Sequence, residues 1–140
     1  METSKRILRS FIDQNEVLAI FHRSDKKVIG SLGLHGRETW ADKELRYAGL
    51  KRREIDYVLS RDYWGRGLMT EAVKAVIEYG FDTLGIEVFT IGHFFENDRS
   101  RRVIEKCGFR YENDGEYYAE QLGRVFPERR YILLRGERRA

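Results

Sequence analysis

The chain reads as one α/β (α+β) domain, a mixed and mostly antiparallel sheet flanked by helices. Two observations predict this. Segments of helical and strand period follow one another in the order α-β-β-β-α-β-α-β-β, with no repeat, linker or low-complexity stretch between them. A length of 140 residues suits a single hydrophobic core, so one domain is expected over 1–140.

The elements follow in order. Ile7, Leu8, Phe11 and Ile12 recur at helical spacing, which predicts a helix from Ser4 to Gln14. Val17 to Phe21 is a short apolar run, read as a buried strand. Asp25-Lys26-Lys27 is a polar turn, and Val28 to Leu34 returns as the second strand of a hairpin. From Gly36 to about Lys51 the chain is polar and irregular, a loop or a frayed hairpin. Glu54 to Ser60 is a third strand. A glycine turn then leads into an amphipathic helix running to about Thr83, and Ile86 to Gly92 is a fourth strand. Asn97-Asp98-Arg99-Ser100 opens a helix that continues from Arg101 to Lys106, with Gly108 as its C-terminal glycine. Phe109 to Tyr118 and Arg130 to Arg135 close the chain as strands, with Pro127 at the edge of the last.

Composition excludes several classes. With 41% hydrophobic and 35% charged residues the chain is neither disordered nor membranous. No apolar run approaches the ~20 residues of a membrane span, and no signal-peptide core follows Met1. One cysteine, Cys107, cannot form an internal disulfide, which fits a cytoplasmic setting. It reads as a small packed residue, since nothing suggests a base beside it. The net charge of +3 permits a polyanionic ligand. The denser basic stretches, including Lys51-Arg52-Arg53, read mostly as solvated faces. No nucleic-acid-binding pattern is present, and His22, His35 and His93 lack metal-ligand spacing, so neither nucleic acid nor metal is expected.

The most informative segment is Arg61-Asp62-Tyr63-Trp64-Gly65-Arg66-Gly67-Leu68-Met69-Thr70-Glu71-Ala72. It joins a strand to a helix N-terminus. The first N–H groups of a helix have no intrahelical partner, and the dipole adds partial positive charge there. Gly65 and Gly67 allow a phosphate to approach the backbone, and Arg66 can supply a full charge. A turn of this kind also serves as a plain tight connection. A Gly-Lys-Ser or Gly-Lys-Thr P-loop and the third glycine of a dinucleotide fingerprint are both absent.

This turn resembles the acetyl-CoA pyrophosphate loop of the Gcn5-related N-acetyltransferases (GNAT), which reads Arg/Gln-X-X-Gly-X-Gly/Ala. Laid on the chain, it covers Trp64, Gly65, Arg66, Gly67, Leu68 and Met69, with Trp64 and Met69 departing from the pattern. Tyr-Trp-Gly-X-Gly-X-X-Thr-Glu-Ala is similar to the RimJ/RimL-like branch, which acetylates ribosomal-protein N-termini. A second block, Asn97-X-X-Ser100 followed by Val103-Ile104-Glu105-Lys106-Cys107-Gly108-Phe109, resembles the same branch. The match runs from roughly Ser4 to Leu134. The fold it implies is the acyl-CoA N-acyltransferase fold. Against that pattern the chain reads as N-terminally shortened, lacking the family's first strand and helix. An unpaired sheet edge is then expected along Val17 to Phe21 or Val28 to Leu34, and with it a homodimer that covers the edge.

The resemblance implies acetyl-CoA as co-substrate, lying where two parallel strands splay apart. The backbone of Tyr57, Val58 and Leu59 would run along the pantetheine arm. Gly65, Arg66, Gly67, Leu68, Met69 and Thr70 would hold the pyrophosphate. Asn97 would bond the pantetheine chain, with a plain helix cap as its other reading. Amine attack on a thioester calls for a proton acceptor and for a donor to the leaving thiol. Glu54 is the first candidate base, and Asp56, on the same strand face at period two, is the second; both also read as exposed strand acids. The tyrosine that many relatives use as general acid falls on Ile104, so Ser100 is the candidate thiol partner, with helix capping as its other reading. Tyr111 and Tyr117 are reserves. The expected function is N-acetyl transfer to a primary amine on a small molecule or a peptide, with a protein or peptide N-terminus favoured by the branch. A non-catalytic acyl-CoA-binding or regulatory protein is the alternative.

Overall fold

The structure, a computed structural model, describes residues 5–12, 15–36 and 39–138, with side chains from Val17 onward. Seven strands form one sheet in the order β1-β2-β3-β4-β5-β7-β6. They are β1 (Lys5–Ile12), β2 (Asn15–His22), β3 (Lys27–His35), β4 (Arg52–Leu59), β5 (Val88–Phe94), β6 (Arg110–Ala119) and β7 (Arg124–Leu134). Helix α1 (Leu68–Asp82) joins β4 to β5, and α2 (Asp98–Lys106) joins β5 to β6. Every neighbouring pair is antiparallel except β4 and β5. The expected mixed, mostly antiparallel sheet is therefore what forms.

One element differs from expectation. Residues 5–12 are a strand, not part of a helix over 4–14. Residues 7, 8, 11 and 12 satisfy a helical period, but the run is short for a helix, and Ile and Phe fit strands equally well. Pairing decides the matter. β1 runs along β2 residue for residue, from Lys5 opposite His22 to Ile12 opposite Asn15. The open edge expected along residues 17–21 or 28–34 is consequently filled. β2 lies between β1 and β3, and β3 lies between β2 and β4.

The two faces of the sheet are covered differently. Alternation along each strand sends Ile55, Phe89, Ile91, Tyr131 and Leu133 to one face, where they pack with Ala72, Val73, Val76 and Phe81 of α1 and Ile104 of α2. Val88 and Ile132 point to the other face, where Ala41 and Tyr47 of the loop between β3 and β4 cover them. That loop contains a short 3₁₀ turn, Trp40–Lys43. These are called the helix face and the loop face below. Pro127 lies inside β7, further into a strand than the sequence predicts, at a point where β6 pairs with it and the β5 ladder has not begun. The missing N–H is tolerated there.

Gly80 shows how closely α1 sits on the sheet. A Cβ there would intrude on the Phe89 ring and lie 3.2 Å from Ile86 Cδ1. Gly80→Ala gains about 1 kcal/mol of helix propensity but overpacks a buried contact at a cost of about 1–3 kcal/mol. Urea unfolding should therefore show a net loss of about 1 kcal/mol. A net gain would mean that Phe89 yields freely.

Candidate active site

The site begins where the sheet opens. β4 and β5 pair in parallel only at Arg52–Val88, Arg53–Phe89 and Glu54–Thr90. Beyond Glu54, β4 stays with β3 while β5 stays with β7. The gap between them is a cleft of about 540 Å³ that reaches both faces of the sheet, lined by Glu54, Asp56 and Thr39 from the loop face and by Tyr57, Asn97 and Ser100 from the helix face.

Strand alternation sets the loop-face groups. Glu54 and Asp56 share that face, as period two predicts. Glu54 Oε1 accepts a hydrogen bond from Thr90 Oγ1 at 2.7 Å. Burial pushes the Glu54 carboxyl above the ordinary glutamate range; the Thr90 hydrogen bond opposes this, Glu128 adds to it, and Arg52 and Arg130 pull against it. Asp56 instead accepts from His35 Nε2 at 2.7 Å and is largely exposed. His35 Nδ1 and Thr39 Oγ1 are buried without a hydrogen-bond partner among the described residues, and both residues line the cleft.

On the helix face, Tyr57 and Ser100 hydroxyls share a hydrogen bond of 2.6 Å. Burial holds the Tyr57 phenol above its ordinary range, so it stays protonated. Asn97 caps α2, its Oδ1 accepting from the Ser100 N–H at 3.0 Å, and it also lines the cleft. Ile104 is fully buried in the core, so no phenol stands at that position. Tyr117 borders the cleft, whereas Tyr111 lies outside it and donates to Asp114.

The glycine turn sits at the helix-face mouth. Gly65 and Gly67 have φ of +77° and +74°, and added Cβ atoms would meet nothing within 4 Å. The space above the turn is open. Gly67 is the N-cap of α1, and its carbonyl accepts from the Glu71 N–H at 3.1 Å. Leu68 and Met69 bury their side chains in the core, so only their backbones can serve a ligand. The Cys107 thiol donates to Thr70 O at 3.6 Å and is pushed up by burial to about 11, as befits a packed and inert residue. Arg66 is folded back, stacked 4.8 Å from the Tyr63 ring centroid and donating to Asp62 O. Trp64 donates from Nε1 to Leu59 O at 2.9 Å, and Arg99 stacks 3.4 Å from its ring centroid. With Tyr57, Val58, Leu59 and Met69, Trp64 and Arg99 border a smaller cavity of about 230 Å³ beside the splayed strand.

Three groups escape the sequence reading. Arg52, read there as part of a solvated basic stretch, is buried and paired bidentately with Asp42, Nε–Oδ1 at 3.0 Å and Nη2–Oδ2 at 3.1 Å. Thr90 is fully buried, and its strand propensity hides it inside an apolar run. Glu128 lines the cleft from β7, in ion pair with Arg130 at 3.0 Å. Among the described residues no group of three His, Cys, Asp or Glu could hold a metal, and no helix is long and apolar enough to cross a membrane.

A family model described as acetyltransferase (GNAT) domain matches residues 1–110. The chain is 29% identical over 116 residues to the uncharacterized N-acetyltransferase YoaA of Bacillus subtilis, covering 83% of this chain and 60% of that protein. It is 33% identical over 100 residues to the probable N-acetyltransferase YjcK of the same organism, covering 71% of this chain and 51% of that one. The chain thus spans little more than half the length of these relatives. The crystal structure of the ribosomal-protein-S5-alanine acetyltransferase from Vibrio fischeri superposes with a TM-score of 0.75, at 16% identity, over 91% of this chain and 66% of that one; at that identity the likeness is one of fold.

The raised Glu54 carboxyl has a consequence for stability. The folded chain keeps this proton to higher pH than the unfolded chain does. Its stabilising contribution is complete below the ordinary carboxylate range and is lost as pH rises through the folded value. Glu54→Gln cannot ionise, so it should melt higher than wild type at neutral pH, with the gap closing as pH falls. Thermal melts across the acid range test this. A gap that ignores pH, or a lower melting point at neutral pH, would show that burial of the charge is not the governing effect.

Proposed function

The chain belongs to the acetyltransferase (GNAT) domain family, and we propose that it transfers an acetyl group from acetyl-CoA to a primary amine. The observation that carries this reading is the divergence of β4 and β5 immediately after Glu54 and Thr90, next to an open glycine turn at the head of α1. The residues fit the co-substrate. The β4 backbone at Tyr57, Val58 and Leu59 borders the cavity and can pair with an amide-bearing arm. Open space above Gly65 and Gly67 leads to the N–H groups of Leu68, Met69 and Thr70, which α1 cannot satisfy internally. Asn97 borders the same space.

Acetyl-CoA supplies an acyl group activated as a thioester. Glu54, with Oε1 held by Thr90, has its other oxygen to receive the proton that the amine nitrogen gives up as the new C–N bond forms and the C–S bond breaks. The Ser100 hydroxyl, paired with the protonated Tyr57 phenol, returns a proton or a hydrogen bond to the departing sulfur. Asp56 remains on the loop face beside Glu54, engaged with His35, and serves as an electrostatic neighbour. Glu54, Asp56 and Glu128 make the loop-face entrance acidic, which suits a cationic amine. Within that class we favour a protein or peptide N-terminus as acceptor. A cytoplasmic homodimer is part of the same proposal, with β1, the end strand of the sheet, as the edge available for pairing.

A second reading, an acyl-CoA-binding protein without turnover, is favoured by the apolar Ile104 at the position where many relatives carry a tyrosine. Two measurements separate the readings. Acetyl-CoA and CoA should both raise the melting temperature, because a ligand that binds only the native state stabilises it. Gly67→Asp should abolish the shift by placing a carboxylate where the pyrophosphate would lie. No shift at millimolar concentration would end both readings. With a panel of amines, thiol release should then be seen, and Glu54→Gln should lower it by roughly 10²–10⁴-fold while leaving the thermal shift intact. Binding without thiol release would favour the second reading.

A further inference from the structure

We infer that Thr90 is a positioning residue for Glu54, and that buried Arg52, paired with half-buried Asp42, fixes the direction in which the Thr90 hydroxyl points. This rests on the reading of Glu54 as the proton acceptor. The two residues face each other as the last pair of the parallel ladder, where β4 and β5 part. Thr90 is fully buried, so water does not compete for its hydroxyl.

The direction follows from what each group can do. A guanidinium only donates. Arg52 Nη1 approaches Thr90 Oγ1 at 3.4 Å, so the oxygen is the acceptor there. Its single hydrogen is then free to go to Glu54 Oε1, at 2.7 Å. Arg52 is itself held by the two carboxylate oxygens of Asp42, and Asp42 Oδ2 accepts the Thr39 N–H at 2.8 Å. Burial works against the Asp42 charge, but Arg52 and the Thr39 N–H outweigh it and hold its carboxyl below the ordinary range. The hydrogen-bonded chain Thr39–Asp42–Arg52–Thr90–Glu54 therefore runs from the 3₁₀ turn on the loop face to the root of the cleft; Asp42 accepts from both its neighbours, and from Arg52 onward each group donates to the next.

Two effects on Glu54 follow. One oxygen is tethered, which sets the carboxylate plane and leaves the other oxygen for the cleft. The donated hydrogen also stabilises the charged carboxylate against burial. The groups facing Glu54 are Thr90 of β5, His35 of β3 opposite it in the ladder, Arg52 and Asp56 of β4, and Glu128 and Arg130 of β7. Among the described residues, the hydrogen bond to the Glu54 side chain comes from Thr90. Removing its hydroxyl leaves burial and Glu128 less opposed.

The test uses the full chain carrying ¹³C-labelled glutamate, with the Glu54 side-chain resonance assigned by Glu54→Gln. In Thr90→Val, which keeps the side-chain shape and loses the hydroxyl, the Glu54 titration midpoint should move up. The acid limb of the kcat/KM profile should move with it, so that kcat/KM on that limb falls about ten-fold while KM for acetyl-CoA stays unchanged. Thr90→Ser should restore both the midpoint and the limb. If Thr90→Val does not fold, Thr90→Ala reads the same midpoint. An unmoved midpoint in the folded variant, or a serine that fails to restore it, would overturn the inference and leave Thr90 as a packing residue. A midpoint that moves while the acid limb stays put would uphold Thr90 as the group that orients Glu54 and instead remove Glu54 from the role of base.

Discussion

The brevity of the parallel ladder between β4 and β5 is the constraint on which the site depends. Three residue pairs hold the strands together, and their separation beyond them creates the cleft. Each strand keeps its outer neighbour, β3 for β4 and β7 for β5, so the opening does not unravel the sheet. The ladder is also anchored just before it begins: the Glu87 and Val88 N–H groups both donate to Lys51 O, at 2.8 and 3.2 Å, and Lys51 Nζ reaches Leu84 O. The sheet is thus tied at one end of the junction and open at the other.

Because the gap passes through the sheet, the period of a strand divides the chemistry. Successive β4 side chains point to opposite faces. Glu54 and Asp56 face the loop, whereas Tyr57 faces α2 and meets Ser100 there. A carboxylate and a hydroxyl pair are thereby placed on opposite sides of one opening by three or four residues of one strand. Such a division suits a reaction in which a nucleophile enters from one side and a leaving group departs on the other. It asks for no catalytic loop; the register of β4 is enough.

Local features of this arrangement were legible in the sequence, and long-range ones were not. Gly65 and Gly67 were legible because a positive φ before a helix calls for glycine, and Asn97 because a helix cap has a short-range signature. Glu54 and Asp56 were legible as a pair sharing a strand face. Thr90 was not, because only the parallel register brings it opposite Glu54, and a threonine among Val88, Phe89 and Ile91 looks like ordinary strand composition. Arg52 looked like its basic neighbours until Asp42, from a loop without a clear pattern, drew it under the sheet. Residues 5–12 failed differently: their apolar spacing is helical, and pairing with β2 overrides it.

The placement of the buried charges follows from the same constraint. An Arg–Asp pair beneath a sheet is a poor source of stability, since desolvation offsets much of its Coulomb attraction. Here it lies beside the last pair of the ladder, where β4 and β5 are still joined, and its last contact reaches the hydroxyl that donates to Glu54. One step further along β4 the strand has left β5, and no comparable frame exists to hold a side chain from both sides. A carboxylate at Asp56 is correspondingly exposed and takes its partner from β3 alone. The difference between the two acids, one half-buried and framed by two strands, the other solvated and framed by one, arises from where the ladder stops rather than from the residue type. Under the proposed reaction, that position makes Glu54 the better-placed proton acceptor of the two.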